Sequence, residues 1–246
     1  MINIITVYNN VYIYDQMTQS VISTVSPDID FCFVGIDNTD NKFTSAASAY
    51  NYSIKSLCNG DIYVFCHQDI VFNEGVLEKI EEICSKEKNW LIGAAGVRNE
   101  ENRNVISSIE DPYGHYKTLK GEAEEVFSLD ECLIAGHKDI FTRLMFNDVL
   151  CDGWHFYTVE FCLRCHKNGI KVMVFDANIK HLSGGNVDDS FYKYIEKISD
   201  AYRNDFEWVA TTIVRFSTKR LYCYKRRTRR IITKIKGVIR KILHIH

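Results

Sequence analysis

The sequence contains only two prolines and 13 glycines in 246 residues. This scarcity excludes collagen-like, mucin-like and proline-rich linker segments. No repeat occurs at solenoid or propeller spacing, so those architectures are excluded as well. With 46% apolar and 13% aromatic residues, the composition is that of a globular chain. A chain of this length forms one sizeable core with an appendage, or at most two small domains.

Long apolar runs are also missing. No run approaches the roughly 18–20 residues that span a bilayer, and the start, MINIITVY, lacks the basic flank and long apolar core of a secretory signal. The nine cysteines are an odd number, and most lie inside apolar runs, where a reduced thiol acts as a small hydrophobic side chain. We therefore expect a cytoplasmic protein with reduced cysteines that does not span a membrane.

Acidic residues are absent after Glu207, while twelve lysine and arginine residues follow it. Residues 1–207 carry the other 18 basic residues and all 32 acidic ones, a net charge of −14. An acidic body with a basic tail indicates two tasks on one chain, and the tail requires an anionic partner. We therefore divide the chain into a domain over residues 1–207 and a tail over residues 208–246.

The tail ends in an amphipathic pattern. From Ile231 the sequence IITKIKGVIRKIL places its aliphatic residues on one helical face, and the basic cluster KRRTRR precedes it. Basic amphipathic helices lie in the interface of anionic membranes, where each basic residue contributes about 1 kcal/mol. We predict that this helix holds the protein peripherally at the inner face of a membrane. A helix docked on the acidic body is the alternative, and nucleic acid is disfavoured because no recognition motif accompanies the charge.

Short apolar runs alternate with helical patterns in the first hundred residues. The predicted strands are Ile2–Tyr8, Phe31–Ile36, Asp61–Cys66 and Trp90–Val97, and the predicted helices are Phe43–Leu57 and Glu74–Lys86. This order indicates an α/β, Rossmann-like fold with a mostly parallel sheet flanked by helices.

Residues 98–128 lose this periodicity, which indicates a loop-rich insertion. Regular patterns return as the strand Glu131–Gly136, a helix from Lys138, a helix over Tyr157–Asn168, the strand Lys171–Phe175 and a helix from about Asp188 to Arg203. Cys162 and Cys165 fall within one of these helices. No second cysteine pair follows at zinc-site spacing, so a zinc site is disfavoured.

Polar residues collect where the predicted strands end, which is where open parallel sheets bind ligands. In DIYVFCHQD a buried strand leads into a polar triplet ending in Asp69, whose carboxylate suits a divalent cation. Capping of the next segment is the alternative for Asp69. In IKHLSGG, His181 follows a strand-like stretch and precedes two glycines that let backbone approach a charged ligand. A structural histidine is the alternative there.

Four segments follow one another in the first half of the chain, namely VYNN, GIDNTD, SAASAYNYSIK and NGDIYVFCHQDIVF. Two longer ones follow in the second half, LDECLIAGHKDIF and CDGWHFYTVEFCLRCHKNGIKVMVFDANIKHLSGGN. Their order and spacing resemble the family 2-like glycosyltransferases of the GT-A fold, over roughly residues 2–195. The resemblance is greatest to the branch with HQD in place of the D-x-D motif.

The resemblance implies a nucleotide-sugar donor and a bound Mn²⁺ or Mg²⁺ ion. Asp69 aligns with the metal-binding aspartate, and His181 aligns with a late metal-binding histidine. The implied donor-binding residues are Tyr8, Asn9, Asp37, Asn38, Asn51, His67, Gln68, Asp130 and Glu131. A metal bridging the diphosphate neutralises charge that grows on the leaving nucleotide in the transition state.

The sequence departs from the family pattern in two places. His67 replaces the first carboxylate of the D-x-D motif. Its alternative partners are the phosphate, the ribose and the metal. Tyr157 and Thr158 replace an acidic pair that supplies the general base in many relatives. Sugar transfer to a hydroxyl still needs a base.

The candidates for that base near the missing pair are Asp152, Glu160 and His155. Asp152 ranks first because it lies in the turn-like stretch CDGWH, although an N-cap of the next helix is the alternative. Glu160 has Arg164 at i+4, so a surface ion pair explains it equally well.

Taken together, the sequence predicts a GT-A-like glycosyltransferase with a donor half over about residues 1–97 and an acceptor half over about residues 129–207. The resemblance implies that it moves a sugar, with inversion, from a nucleotide diphosphate to a hydroxyl, and the basic tail favours a glycan or lipid-linked acceptor. A nucleotidyltransferase is disfavoured because no glycine-rich basic phosphate loop follows the first strand. A catalytically degenerate nucleotide-binding scaffold of a glycan assembly complex is the remaining alternative.

Overall fold

The computed structural model describes residues 1–111, 114–115, 118–184 and 189–219. Within these ranges the helices are α1 Val11–Thr24, α2 Ala46–Ser56, α3 Val76–Lys86, α4 Lys138–Leu144, α5 Tyr157–Lys167 and α6 Asp189–Ala201. The strands are β1 Ile2–Tyr8, β2 Phe31–Asp37, β3 Ile62–Cys66, β4 Ile70–Val71, β5 Trp90–Gly93, β6 Ala95–Val97, β7 Val105–Ser107, β8 Ile109–Asp111, β9 Gly114–His115, β10 Ala123–Glu125, β11 Ser128–Leu129, β12 Leu133–His137, β13 Lys171–Phe175, β14 Ile179–His181, β15 Trp208–Ala210 and β16 Arg215–Ser217.

Two sequence predictions concern membranes. The amphipathic helix predicted from Ile231 lies outside the described residues. Among the helices that the structure does describe, none combines the length and apolar character needed to cross a bilayer.

Seven strands form the central sheet in the order β10-β13-β5-β12-β3-β1-β2. The pairs β1–β2, β1–β3 and β5–β13 are parallel, whereas β12 and β10 run antiparallel to their neighbours. Five of the seven strands therefore run in one direction, which agrees with the predicted mostly parallel α/β sheet. Because β1, β2 and β3 are parallel, their carboxyl ends meet at one edge.

The central sheet is buried on both faces, which explains why its strands read as continuous apolar runs. Side chains alternate along each strand. Ile5 and Phe65 belong to the core packed against α2, α4, α5 and α6, while Ile4 and Val64 belong to the core packed against α1 and α3. The helices thus fix the sheet from both sides and leave its carboxyl edge open.

The predicted strand Trp90–Val97 is in fact two strands. β5 ends at Gly93, and β6 begins at Ala95 and joins β7 and β11 in a separate three-stranded sheet. Glycine permits the close packing after this switch, since a Cβ on Gly96 would lie 2.5 Å from the Ser128 carbonyl oxygen. The predicted loop-rich insertion over residues 98–128 contains the short strands β7 to β11.

Helix α1 is absent from the sequence prediction because its apolar periodicity is weak. Only Met17 and Val21 are buried in its 14 residues. Its start is marked instead by Asn10, whose side chain accepts a hydrogen bond from Ile13 N at 3.3 Å. An N-cap asparagine is thus the one sequence signal for this helix.

The folded body continues past the predicted domain boundary at residue 207. Strands β15 and β16 form a hairpin that packs against the region around β11. Ser128 Oγ donates a hydrogen bond to the Ala210 carbonyl at 2.6 Å, and Thr212 Oγ1 donates one to Asp130 Oδ2 at 2.7 Å. The predicted boundary is therefore too early, and residues 208–219 belong to the body.

Candidate active site

The carboxyl ends of β1 and β3 are tied together by Gln68. Its Oε1 accepts hydrogen bonds from the backbone N–H groups of Asn9 and Asn10, both at 3.1 Å, and its Nε2 donates to Asn9 Oδ1 at 2.7 Å. Tyr8, at the end of β1, stacks on Tyr14 with ring centroids 4.3 Å apart. These contacts hold the strand ends in one fixed arrangement.

Three side chains with metal-binding atoms converge at this edge. His67 and Asp69 follow β3, and β14 pairs with β4 so that His181 lies opposite Ile70. One ligand atom from each of the three side chains lies within 4.8 Å of the others. His181 Nε2 is 3.3 Å from Asp69 Oδ1, and the two imidazole centroids are 5.5 Å apart. We refer to these three residues as the His–Asp–His cluster.

The surroundings set the charge of this cluster. Burial alone raises the pKa of the Asp69 carboxyl, but hydrogen bonds from His181 and Ser183 outweigh it and hold the pKa well below its usual range. Burial and the neighbouring His181 lower the pKa of His67. At neutral pH Asp69 is therefore ionised and His67 is neutral, the forms in which both bind cations.

The His–Asp–His cluster lies where two cavities meet. The smaller, about 380 Å³, is bounded by the ends of β1 and β2 and the start of α2. The larger, about 530 Å³, extends towards β12, α6 and the β15–β16 hairpin. His67, His181, Ser183 and Trp154 line both cavities, and Trp154 is 44% exposed. The result is a continuous cleft with the cluster at its centre.

Most of the sequence-predicted donor residues lie along this cleft. The smaller cavity is lined by Tyr8, Asn9, Asn38, His67 and Gln68, and the larger one by Asp130 and Glu131. Asp37 is exposed at the end of β2 and accepts hydrogen bonds from Thr39 N at 2.9 Å and Thr39 Oγ1 at 2.8 Å. These bonds lower the pKa of Asp37.

Asn51 lines neither cavity. Its buried amide donates to the Phe146 carbonyl and accepts from the Phe146 N–H, both at 2.8 Å. This pair of bonds anchors the segment after α4 to helix α2. The predicted donor contact is wrong because the amide is already occupied by backbone.

The structure also contradicts both interpretations of Glu160, as the base and as part of a surface ion pair. It is 0% exposed and receives hydrogen bonds from Arg164 at 2.9–3.0 Å, from Tyr202 Oη at 2.6 Å and from Asn147 Nδ2 at 3.1 Å. The ion pair with Arg164 is thus buried, not a surface pair. With its carboxylate enclosed in this network, Glu160 is not the base.

The other two candidates for the base differ in position. Asp152 accepts hydrogen bonds from Lys197 Nζ at 2.7 Å and Tyr194 Oη at 2.8 Å and lines neither cavity. Lys197, mainly through its hydrogen bond, lowers the pKa of Asp152. His155 lines the larger cavity, with its ring edge-on to Phe191 at 5.6 Å.

Helix α5 connects the cluster to the larger cavity. Tyr157, its first residue, donates from Oη to the Glu131 carbonyl at 3.1 Å and lies 3.3 Å from His67 Nε2. Asp130, next to Glu131, accepts hydrogen bonds from Cys132 N at 3.1 Å and from Thr212 at 2.7 Å. Tyr157, one of the two residues that replace the expected acidic pair, therefore lies close to the acidic residues Asp130 and Glu131.

Cys162 and Cys165 lie within α5 and are buried thiols. Burial raises the pKa of Cys162 to about 12 and raises that of Cys165 well above its usual value. Both are therefore protonated core side chains.

Some residues of the cleft escape sequence reasoning. Trp154 lies in the stretch CDGWH, two positions after Asp152. A tryptophan in such a turn-like stretch is a signal that the sequence alone could have provided. The turn residues Thr211, Thr212 and Ile213 also line the larger cavity. They reach it only because the hairpin folds back onto the body, and no local motif marks them.

The architecture is shared with solved glycosyltransferases. The chain aligns with GalNAc-T7, solved with UDP, GalNAc and Mn²⁺, at a TM-score of 0.61 and 11% identity, over 83% of this chain and 50% of that one. It aligns with residues 1–349 of S. aureus TarS in complex with UDP-GlcNAc at a TM-score of 0.58 and 14% identity, over 84% of this chain and 68% of that one. The chain thus spans half the length of GalNAc-T7. At these identities the likeness shows the GT-A type of α/β fold.

Fold and cleft together define a glycosyltransferase. The model of the glycosyltransferase like family matches residues 3–227, and the chain belongs to this family. It is also 23% identical over 186 residues to the "ATP synthase subunits region ORF 6" protein of Fuscovulum blasticum, which covers 71% of this chain and 72% of that protein. Assignment to the branch with HQD stays a prediction.

Proposed function

We propose that the chain transfers a sugar, with inversion, from a nucleoside-diphosphate sugar to a hydroxyl of a glycan or lipid-linked acceptor. The observation that carries this proposal is the His–Asp–His cluster, which lies at the carboxyl edge of the sheet where two cavities meet. One cavity accommodates the donor and the other the acceptor, so that the diphosphate and the reacting hydroxyl approach each other at the cluster.

The cluster fits a divalent transition-metal ion. Its donor set is one carboxylate oxygen and two imidazole nitrogens. Mg²⁺ prefers oxygen ligands, whereas imidazole suits transition metals. We therefore favour Mn²⁺ over Mg²⁺, held by Asp69, His181 and His67, and Mn²⁺ is also the ion in the GalNAc-T7 structure. When bound, such an ion neutralises negative charge on the diphosphate of the donor.

The smaller cavity suits the nucleotide. Tyr8 presents an aromatic ring whose orientation is fixed by stacking on Tyr14, and Asn38 is held by hydrogen bonds with the Phe43 backbone at 2.7 and 3.1 Å. An aromatic ring of this kind binds a base by stacking. The Asn38 amide, already paired with the Phe43 backbone, forms part of the cavity wall. UDP-sugars are the first donors to test because TarS is solved with UDP-GlcNAc.

The larger cavity suits the acceptor. It combines the Trp154 ring with polar groups from Asp130, His155 and Thr212. An aromatic wall beside a few hydrogen-bonding groups is typical of a site for an amphipathic ligand such as a sugar. The membrane association predicted from the tail would favour a lipid-linked acceptor, and it stays a prediction.

The alternative is a scaffold that binds the nucleotide without turnover. Tyr157 and Thr158, which replace the acidic pair, are the observation in its favour. It predicts binding of donor with no release of nucleoside diphosphate.

Thermal unfolding against a panel of UDP-, GDP-, CDP- and dTDP-sugars, with Mn²⁺ or with EDTA, tests the donor site. A ligand that binds only the folded state stabilises it, by about 2.7 kcal/mol at 100 times its Kd. We expect a metal-dependent rise in Tm with one class of nucleotide, and its loss in Asp69→Asn.

Asp61→Asn is the matched control, because Asp61 precedes strand β3 and Asp69 follows it. Asp61 is 62% exposed and pairs with Lys138, away from the cleft. It should keep the full ligand-induced shift. If no nucleotide sugar raised the Tm, or if Asp69→Asn kept the full rise, the proposed donor site would be contradicted.

A further inference from the structure

Transfer of a sugar to a hydroxyl, as proposed above, requires a group that takes the hydroxyl proton. The inference developed here rests on that proposed function. Two carboxylates line the larger cavity, Asp130 and Glu131, in the segment just before β12. They are close to His67 through Tyr157, which contacts both His67 and the Glu131 carbonyl.

Asp130 is already committed to the fold. Its Oδ1 accepts a hydrogen bond from Cys132 N, and its Oδ2 accepts one from Thr212, so each oxygen has a protein donor. These bonds join β12 to the β15–β16 hairpin. Asp130 therefore acts as a structural brace that shapes the cavity wall.

Glu131 has the opposite character. Its Oε1 is buried and makes no hydrogen bond among the described residues, although backbone N–H groups at the start of α5 lie towards the carboxyl and the residue as a whole is partly exposed to the cavity. A buried carboxylate oxygen without a partner is destabilising, because it loses the hydrogen bonds that water would give it. Such groups in a cleft call for a functional explanation.

The backbone around Glu131 is also unusual. Phe156, which precedes helix α5, has φ of 67°, a left-handed conformation that is strained for an aromatic residue. This turn brings the N–H groups at the start of α5 towards the Glu131 carboxyl. Strain of this kind persists where the surrounding structure imposes a functional geometry.

We propose that Glu131 is the catalytic base of the transfer reaction. Its carboxylate accepts the proton of the acceptor hydroxyl as the acceptor oxygen bonds to the anomeric carbon. The bond from that carbon to the diphosphate oxygen breaks, and the nucleoside diphosphate leaves with the electron pair. The products are the glycosylated acceptor, the nucleoside diphosphate and a protonated Glu131, which returns its proton to water.

The electrostatics of the site agree with this role. Burial and the neighbouring Asp130 raise the pKa of Glu131 well above the usual carboxyl range, while the N–H groups of residues 156–158 act in the opposite direction. A carboxylate with a raised pKa is a stronger base than an exposed one.

The test is release of nucleoside diphosphate with Mn²⁺ from UDP-GlcNAc, UDP-GalNAc, UDP-glucose and the other sugars of the panel. Acceptors are water, glycerol and methyl glycosides. We compare wild type with Glu131→Gln, which keeps the side-chain size, and with Asp130→Asn and His155→Asn. Glu125→Gln, on the exposed strand β10, is the matched control.

Loss of a general base lowers the rate by about 10²–10⁴-fold. We expect this loss in Glu131→Gln and an unchanged rate in Glu125→Gln. The donor-induced rise in Tm of Glu131→Gln should stay as in wild type, which separates the role of the base from folding and from donor binding. A rate within threefold of wild type in Glu131→Gln, or the large loss in His155→Asn instead, would overturn the assignment. A wild type that binds donor but releases no nucleoside diphosphate would refute the proposed transfer reaction and the base with it.

Discussion

Replacing Glu160 by alanine should lower the free energy of unfolding by about 3 kcal/mol. The carboxylate is fully buried and binds Arg164 through both Nε and Nη2, at 2.9–3.0 Å. It also accepts the Tyr202 hydroxyl at 2.6 Å and the Asn147 amide at 3.1 Å. The substitution leaves three donor residues, one in α5 and two in the segments after α4 and α6, without their shared acceptor.

The size of the expected loss depends on the hydrogen bonds that Arg164 keeps after the substitution. Removing one partner of a buried ion pair costs about 3–5 kcal/mol. Arg164 remains 20% exposed and still donates to the carbonyls of Leu144 and Met145, at 2.6 and 2.8 Å. Part of its charge therefore stays satisfied, and we expect the lower end of the range.

The assay is urea unfolding at neutral pH, followed by circular dichroism and extrapolated linearly to water. Glu82→Ala is the control, because Glu82 forms an i,i+4 pair with Lys86 in which both side chains are more than 60% exposed. Exposed helical pairs contribute little to stability, so Glu82→Ala should leave the free energy of unfolding almost unchanged. A loss below about 1 kcal/mol for Glu160→Ala would refute the interpretation of Glu160 as a structural anchor.

Three further predictions concern other parts of the fold. Asn51→Ala should lower the free energy of unfolding in urea by about 2 kcal/mol or more, because both Phe146 backbone groups lose a buried partner. Stabilisation by the donor should be unchanged, and its loss would return Asn51 to the donor site. Gly96→Ala should cost about 1–3 kcal/mol by overpacking, since its Cβ would lie 2.5 Å from the Ser128 carbonyl oxygen, and an unchanged urea midpoint would contradict this. The pKa of His67 is lowered by burial, so the unfolded chain binds the extra proton below about pH 6.5 and stability falls as the pH drops from 7 to 5. In metal-free buffer the slope of unfolding free energy against pH should be smaller in His67→Asn than in wild type. Equal slopes would contradict the attribution of this pH dependence to His67.

The order of strands and helices could be predicted from the sequence because it depends on local periodicity. The runs INIITVY and IYVFC are apolar on both faces, as buried strands require, and α2 and α3 appear near their predicted positions. Pairing across the sheet could not be predicted in the same way. WLIGAAGV reads as one strand, but β6 leaves the main sheet for one formed with β7 and β11.

The part of the candidate site that lies at the strand ends could be predicted, because polar residues follow apolar strand patterns there. Asp69 and His181 are 112 positions apart, and the pairing of β4 with β14 brings them together. Side-chain partners, in contrast, cannot be derived from a single sequence. Glu160 and Asn51 are buried through contacts that include residues 202 and 146, respectively, which are remote in sequence.

Calorimetric titration of Mn²⁺ into the metal-free protein, with and without UDP, tests the central claim most directly. We expect one ion per chain, tighter binding in the presence of UDP, and a loss of affinity in His181→Gln greater than the roughly 10- to 100-fold cost of losing an outer-shell partner. His166→Gln is the control, because His166 contacts the Phe127 carbonyl away from the His–Asp–His cluster. Equal Mn²⁺ affinity in wild type and His181→Gln would contradict the account of this cleft as a metal-dependent donor site.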